Sequence, residues 1–381
     1  MERLTLNNPS RILWCCQDFG ITPEDLARDA GINFATLELA LTGAAALTYN
    51  QLSKLADFFG RGLLFFLEDS DVETAEIHSA QFRTIANQKP ELPQKLRKLI
   101  ERVERHRELY LSLIEDLRLD APIFNPPDIS GMTGQNVSTA VREWLELSPI
   151  NTFESYREAL DKKGILVIQS NGYNGKWQVP SENAILGFSL FHDQCPVIVV
   201  KKQRWPAQQV FTLFHELGHI LIHKDSSIDD EADLQSHQGR EQQANSFAGL
   251  TLVPDQLLSQ IDIGKMPENV EDLPSWLNHW RNLWGVSTEV ILRRFADSGQ
   301  ISWEKYNLFR EWNLNNIPAD QEGGNRQYRH REPKHIFGDS YVRAVFEAKN
   351  SRQISLARAS RYLDDLKIRD MHLLERHLVD V

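Results

Sequence analysis

Residues Phe211–His223 read FTLFHELGHILIH, with two histidines four apart and a glutamate directly after the first. On a helix, positions four apart share a face, one turn above the other. The imidazoles of His215 and His219 can then both reach one Zn2+ at about 2.0–2.1 Å. Glu216 is turned by about 100° from His215, so it sits beside the ion without ligating it. There it can take a proton from water and pass it to a leaving amine. Val210, Phe211, Leu213, Phe214, Leu217, Ile220 and Leu221 make the surroundings apolar. Burying three unpaired polar groups among them costs several kcal/mol, a penalty that a metal removes. The competing reading is a helix whose histidines face solvent. With 12 histidines in the chain, the motif needs a companion before it carries an argument.

A catalytic zinc needs a third protein ligand and an open fourth position. Downstream, His223, Asp229, Asp230, Glu231, Asp233, His237 and Glu241 have suitable side chains. His223 continues the helical face but lies about 6 Å beyond His219 along the axis, a turn too far. The run DDEAD, 229–233, has loop composition and is expected in solvent. Glu241 opens EQQANSFAGLTLVP, a helix that ends before Pro254. Glu241, Ala244, Asn245 and Ala248 share one face, and the two small alanines let it pack closely on the first helix. Glu241 is therefore the expected third ligand, and Asn245, one turn on, accepts from a ligand imidazole.

Upstream, GILVIQS (164–170), AILGFSLF (184–191) and PVIVV (196–200) read as strands. His192-Asp193-Gln194 forms the turn of a hairpin between the last two. Pro206 opens the histidine helix. Helices are expected over 137–147 and 152–162, and a longer one over 93–119. In the long helix Leu96, Leu99, Val103, His106, Tyr110, Leu113 and Leu117 form a heptad-like seam with His106 as its polar break. The seam fits a helix packed inside the chain or a homodimer.

Residues 10–69 read as about five short helices. Thr22 is an N-cap, Pro23 suits the first helical position and Asp25 completes a capping box. Gly31 ends that helix, and another follows through Leu37 and Leu41 to Gly43. The order resembles the helix-turn-helix of phage-repressor-type (XRE-like) regulators, whose second helix lies in the major groove. That second helix, residues 33–41, has no Lys or Arg. Residues 22–69 carry three basic side chains against seven acidic ones. Phosphate contacts need cations, so DNA binding is weakly supported, with Asn33 and Thr36 as the residues able to touch base edges. Docking of a protein partner is the competing use.

Composition bounds the rest. A chain of 381 residues with 41% hydrophobic and 25% charged residues is an ordinary globular protein with room for two or three domains. No signal-like segment, lipidation motif or membrane span is expected. Three cysteines, Cys15, Cys16 and Cys195, without a C-x-x-C spacing fit a reduced, cytoplasmic protein. The net charge of −11 argues against bulk nucleic-acid binding. Two stretches run the other way. Residues 83–108 hold eight Lys/Arg against four Glu, and residues 325–381 hold twelve Lys/Arg against eight Asp/Glu. Solvated helix faces explain both as well as binding surfaces do.

HELGH at 215–219, E-x-x-A-N-x-F-A at 241–248 and Pro254 together resemble the ImmA/IrrE family of zinc metallopeptidases. The strands at 187–190 and 196–200 and the stretch WGVSTEVILRRFADSGQIS (284–302) also fit. The resemblance implies an α+β chain: an all-α helix-turn-helix domain (1–69), a linker and long helix (70–122), a minimal gluzincin-like metallopeptidase domain (123–315) and a helical C-terminal region (316–381). It implies a Zn2+ cofactor on His215, His219 and Glu241, with Glu216 as general base, and limited proteolysis of a repressor-like regulator. In such folds the edge strand of the sheet aligns an extended peptide, and Ala184–Phe191 is the candidate strand. The oxyanion stabiliser stays open among Arg204, His192, His223, His237 and Tyr173. The C-terminal region resembles tails of longer relatives, some similar to antitoxins paired with PIN-like ribonuclease toxins. A non-proteolytic regulator that binds such a toxin or DNA is therefore the alternative function.

Overall fold

The computed structural model describes residues 3–19, 21–59, 61–72, 81, 84–85, 88–89, 92–118, 122–170, 175–179, 184–230, 232–236, 238–316 and 326–379. The chain divides into two compact units, Met1–Arg83 with Glu91–Lys98, and Thr84–Pro90 with Leu99–Val381.

The first unit is helical. Its elements are β1 (Arg3–Leu4), α1 (Ser10–Phe19), α2 (Pro23–Ala30), α3 (Phe34–Leu41), β2 (Leu47–Thr48) and α4 (Tyr49–Phe59), with β1 antiparallel to β2. Thr22 caps α2 reciprocally: the Asp25 amide donates to Thr22 Oγ1 at 3.2 Å and the Thr22 amide donates to Asp25 Oδ2 at 3.3 Å. Asn33 caps α3 by accepting from the Ala35 amide at 2.9 Å, which commits its side-chain oxygen. Thr36 is half-buried on the same helix. Leu26, Leu37, Leu52, Leu55, Phe59 and Phe66 are fully buried between the helices.

Helix α5 (Gln94–Leu117) carries the heptad-like seam. Leu96, Leu99, Val103, Tyr110 and Leu113 are buried within the chain itself. His106 lies stacked on Phe337, with ring centroids 5.3 Å apart and planes 9° from parallel, and meets the edge of Trp177 at 4.7 Å.

The second unit continues with α6 (Gly134–Trp144), α7 (Phe153–Lys162), β3 (Leu166–Gln169), β4 (Ile185–Leu190), β5 (Val197–Val200), α8 (Pro206–Gly218), β6 (Ser227–Asp230) and α9 (Gly239–Leu252). Short helices α10 (Asp255–Leu258), α11 (Leu273–Trp276) and α12 (Asn278–Trp284) lead to α13 (Thr288–Asp297) and α14 (Trp303–Asn315). The sheet order is β3-β5-β4-β6. β3 runs parallel to β5, and β4 is antiparallel to both of its neighbours. All four residues of β3 and of β5 are buried, as expected for strands covered on both faces.

This order corrects one expectation. Ala184–Phe191 is not an edge: β4 is paired on both sides, with β5 and with β6. The residues that cover it, Ser227–Asp230, have the composition of a loop but find a partner strand, in register Phe188↔Ile228 and Ser189↔Ser227. β6 is the strand at that end of the sheet.

The C-terminal helices α15 (Glu332–Asn350, kinked at Gly338), α16 (Leu356–Tyr362) and α17 (Ile368–Val379) belong to the same unit. Arg157 of α7, 2% exposed, fastens them. Its guanidinium donates to the carbonyls of His335 and Ile336 at 2.7 Å each and to Val167 of β3 at 2.6 Å. Three carbonyls thus offset much of the cost of burying this cation, although its Nε has no partner, and they join the kink of α15 to the sheet.

Candidate metal centre

Pro206 stands at the first position of α8, where its missing N–H costs nothing. From Gln209 to Gly218 every residue of α8 is buried. Leu213, Phe214 and Leu217 are fully buried, each worth about 1.5–3 kcal/mol relative to exposure. That apolar burial holds the polar residues of the same helix away from water. The helix then widens into a π turn over His219–His223, a feature frequent at functional sites.

Two close approaches define the site. A Cβ on Gly218 would lie 3.2 Å from Ala244 Cα and 3.1 Å from Phe247 Cδ1. Glycine here lets α8 and α9 approach closely, where a side chain would have to push its neighbours back by a few tenths of an ångström. A Cβ on Gly187 would lie 2.7 Å from Thr212 Cγ2, 2.9 Å from Glu216 Oε1 and 3.1 Å from the Val199 carbonyl. Glycine in β4 therefore makes room for the Glu216 carboxylate against the sheet.

The hydrogen bonds behind the histidines assign their tautomers. Asn245 Nδ2 donates to the carbonyls of Asp233 and Ser236 at 3.2 and 3.1 Å, which turns Oδ1 toward His215. His215 Nδ1 donates to that oxygen at 2.9 Å, leaving Nε2 with a free lone pair. His223 Nε2 donates to Gln243 Oε1 at 3.1 Å. His223 Nδ1 is then an acceptor, and His219 Nδ1 donates to it at 3.0 Å. His219 Nε2 is left with a free lone pair as well.

The two Nε2 atoms face each other at 3.1 Å. Glu241 Oε2 lies 3.2 Å from His215 Nε2 and 3.4 Å from His219 Nε2. Asp229 Oδ2 lies 3.7 and 3.5 Å from the same two atoms. Two lone pairs and two carboxylates crowded together repel unless a cation lies among them. The buried oxygens Glu241 Oε2 and Asp229 Oδ2 have no hydrogen-bond partner. In place of an ion, a proton on His215 is the alternative cation: the carboxylates outweigh the effect of burial and push its pKa up to about 9. Two imidazoles and two carboxylates are an N/O donor set suited to a divalent transition metal. These four residues, His215, His219, Asp229 and Glu241, fit a metal ion.

Glu216 is fully buried beside them, and neither of its carboxylate oxygens has a geometric hydrogen-bond partner. Burial first, and then the Asp229 carboxylate, raises its pKa well above the usual range; Ser189 acts in the opposite sense.

The structure brings His215, Glu216, His219, Glu241 and Asn245 together, all residues singled out by the sequence. His223 stands behind His219 and outside the four-residue cluster. Asp229 corrects the sequence reading: instead of lying in a solvated loop, it is 2% exposed in β6. Asp230 and Asp233 face away from the cluster, onto Lys89. Glu231, His237 and Tyr173 lie outside the described residues. Arg204 is exposed, its guanidinium over the Trp205 ring at 5.2 Å. His192 is half-buried, and burial lowers its pKa to about 4. Neither joins the cluster. Asn33 and Thr36 belong to the other unit.

Residues 161–296, a little over a third of the chain, match the family model Peptidase_M78, described as an IrrE N-terminal-like domain. The match runs from the end of α7 through the sheet, α8 and α9 to α13 and includes every residue of the centre. It supports the ImmA/IrrE resemblance and a peptidase-type domain. No curated protein matches the chain. No described helix is long and apolar enough to cross a membrane.

Proposed function

We propose that the chain is a zinc endopeptidase that cuts a protein regulator, repressor- or antitoxin-like, in a reducing cytoplasm. The observation that carries this reading is the set of converging, unpartnered ligand atoms with the unpaired Glu216 carboxylate buried beside it. The match to a peptidase family supports it, and three free cysteines are consistent with the compartment. His215, His219 and Glu241 would hold the ion. Zinc, when bound, supplies a Lewis acid that polarises a peptide carbonyl and makes water more acidic.

The chain's own residues do the rest. Asn245 and the Gln243–His223 pair hold both imidazoles with Nε2 toward the centre. Glu216 takes a proton from the attacking water onto its carboxylate. Buried beside the candidate ligands and without a hydrogen-bond partner, the carboxylate is placed to receive that proton and then deliver it to the leaving amine. Gly187 keeps space for this carboxylate. The division into residues 1–69, 70–122, 123–315 and 316–381 belongs to the same reading, with 1–69 as a helix-turn-helix module.

The test is a comparison of wild type with Glu216→Gln, each incubated with the repressor- or antitoxin-like protein encoded beside it. Equal zinc content by mass spectrometry with cleavage lost in the variant is expected. A variant that still cleaves removes Glu216 from the chemistry.

One observation favours a second role for the N-terminal unit. Helix α3 exposes Phe34 and Leu39, at 36% and 48%, beside Glu38 and without a cation. Such a face suits a protein partner, for instance a PIN-like toxin or a second copy, better than DNA. Toxin neutralisation that survives Glu216→Gln would support this non-proteolytic reading. A gel shift on the protein's own promoter, repeated at several salt concentrations, tests Asn33 and Thr36 as DNA contacts.

A further inference from the structure

The metal reading leaves Asp229 without a task, and any role for it in the centre rests on that same reading. Ligands held tetrahedrally at about 2.0–2.1 Å from one ion lie about 3.3–3.4 Å from each other. The separations between His215, His219 and Glu241 are 3.1, 3.2 and 3.4 Å. Those from Asp229 Oδ2 to the two histidines are 3.7 and 3.5 Å. Asp229 Oδ2 thus reaches the same centre from the side of β6, and the four ligand atoms all lie within 4.8 Å of one another. Its Oδ1 accepts from Ser227 Oγ at 3.2 Å, while Oδ2 is buried without a partner and aimed at the centre. Two neutral imidazoles and two carboxylates also balance the charge of a divalent ion.

We propose that Asp229 is a fourth protein ligand that closes the metal site in the resting chain. A catalytic ion keeps one position open, whereas a site with four protein ligands has none. The peptidase is therefore latent until β6 withdraws Asp229. β6 is four residues long and ends the sheet, and its free side is latched. Gln88 Nε2 donates to the Ser226 carbonyl at 2.8 Å, and the Ile228 amide donates to Gln88 Oε1 at 3.3 Å. One side-chain amide thereby imitates a neighbouring strand. Lys89 adds ion pairs to Asp230 and, at 2.7 Å, to Asp233. An extended peptide adding to this edge has to displace Gln88, so the strand that carries the closing ligand is also the strand such a peptide engages.

The test uses the full chain loaded with Co2+, whose visible bands report coordination number, with acetohydroxamate as a probe of an open position. Wild type, Asp229→Ala and the shape-conserving Asp229→Asn are compared, with Co2+ affinity measured by competition against a chromophoric chelator. Asp229→Asn keeps the acceptor for Ser227 Oγ, so it reads the charge alone if the alanine variant folds poorly. The wild-type spectrum is expected to ignore acetohydroxamate. The variants are expected to bind Co2+ at least about 10-fold more weakly, and Asp229→Ala to shift its bands when acetohydroxamate is added. A wild-type spectrum that already responds to acetohydroxamate, or an affinity unchanged in both variants, overturns closure by Asp229 and leaves the peptidase reading standing. A wild type that takes up no Co2+ or Zn2+ overturns both.

Discussion

Replacing His106 by phenylalanine should change how the second unit tolerates acid. The ring is enclosed by Phe337, Trp177 and Tyr341. Its Nδ1 donates to the Arg102 carbonyl at 2.9 Å, and its buried Nε2 has no partner. Burial, with Arg102, Arg105 and Lys176 nearby, lowers its pKa from 6.5 to about 4. Because the folded pKa lies below the unfolded one, the neutral ring's contribution is complete above pH 6.5 and is lost as pH falls through 6.5 toward 4. At pH 4.5 nearly every unfolded chain carries the proton, but only about a quarter of folded chains do. Linkage then gives a loss of about 2 kcal/mol between pH 7 and pH 4.5 from this residue alone. His106→Phe forfeits one hydrogen bond but removes an orphaned nitrogen. The two effects are each about 1 kcal/mol and opposed, so stability at pH 7 should change little. Urea melts at pH 7 and 4.5, followed by tryptophan fluorescence with chelator present throughout, measure the difference. The variant should lose about 2 kcal/mol less than wild type over that interval. Parallel losses, within about 0.5 kcal/mol, would refute a neutral buried His106.

Three further outcomes concern the centre. Asn245→Ala removes the acceptor behind His215 and should weaken Zn2+ binding by about 10–100-fold, measured by chelator competition. Gly187→Ala pushes a methyl against the Glu216 carboxylate and the Val199 carbonyl; a loss of about 1–3 kcal/mol in denaturant melts is expected, together with reduced cleavage at unchanged zinc content. Chelation should lower the melting temperature, since free metal at 100 times its Kd stabilises the folded chain by about 2.7 kcal/mol; a melt indifferent to chelator would show that the ligands need no ion.

What the sequence made legible was the part encoded within single helices. The spacing of His215 and His219, and the face shared by Glu241, Ala244, Asn245 and Ala248, are set by helical period alone. The packing partner also left a mark, because Gly218 and Ala244 are small where the two helices touch. The β-structure was less legible, for a physical reason. A strand is defined by a neighbour that can lie anywhere in the chain, and Ser227–Asp230 carries no apolar alternation to announce it. Its role comes from pairing with β4, some forty residues earlier, through Gly187↔Asp229. That pairing alone moves Asp229 from an assumed loop to the metal centre and makes β4 internal.

His223 shows the same distinction at smaller scale. Helical geometry places it too far along the axis to ligate with His215 and His219, and it stays outside the cluster. Geometry could not assign it a task, because that depends on a π turn and on Gln243 from another helix. Once those are known, His223 fixes the proton on His219 and so the lone pair that faces the candidate centre. The centre is thus ordered by two relays, Asn245 behind His215 and Gln243–His223 behind His219. Glu241 and Asp229 supply the negative charge. The helices bring three of the four candidate ligands, and only the fourth comes from the sheet, on its terminal strand β6. Regulation through Asp229, as proposed above, would act on β6.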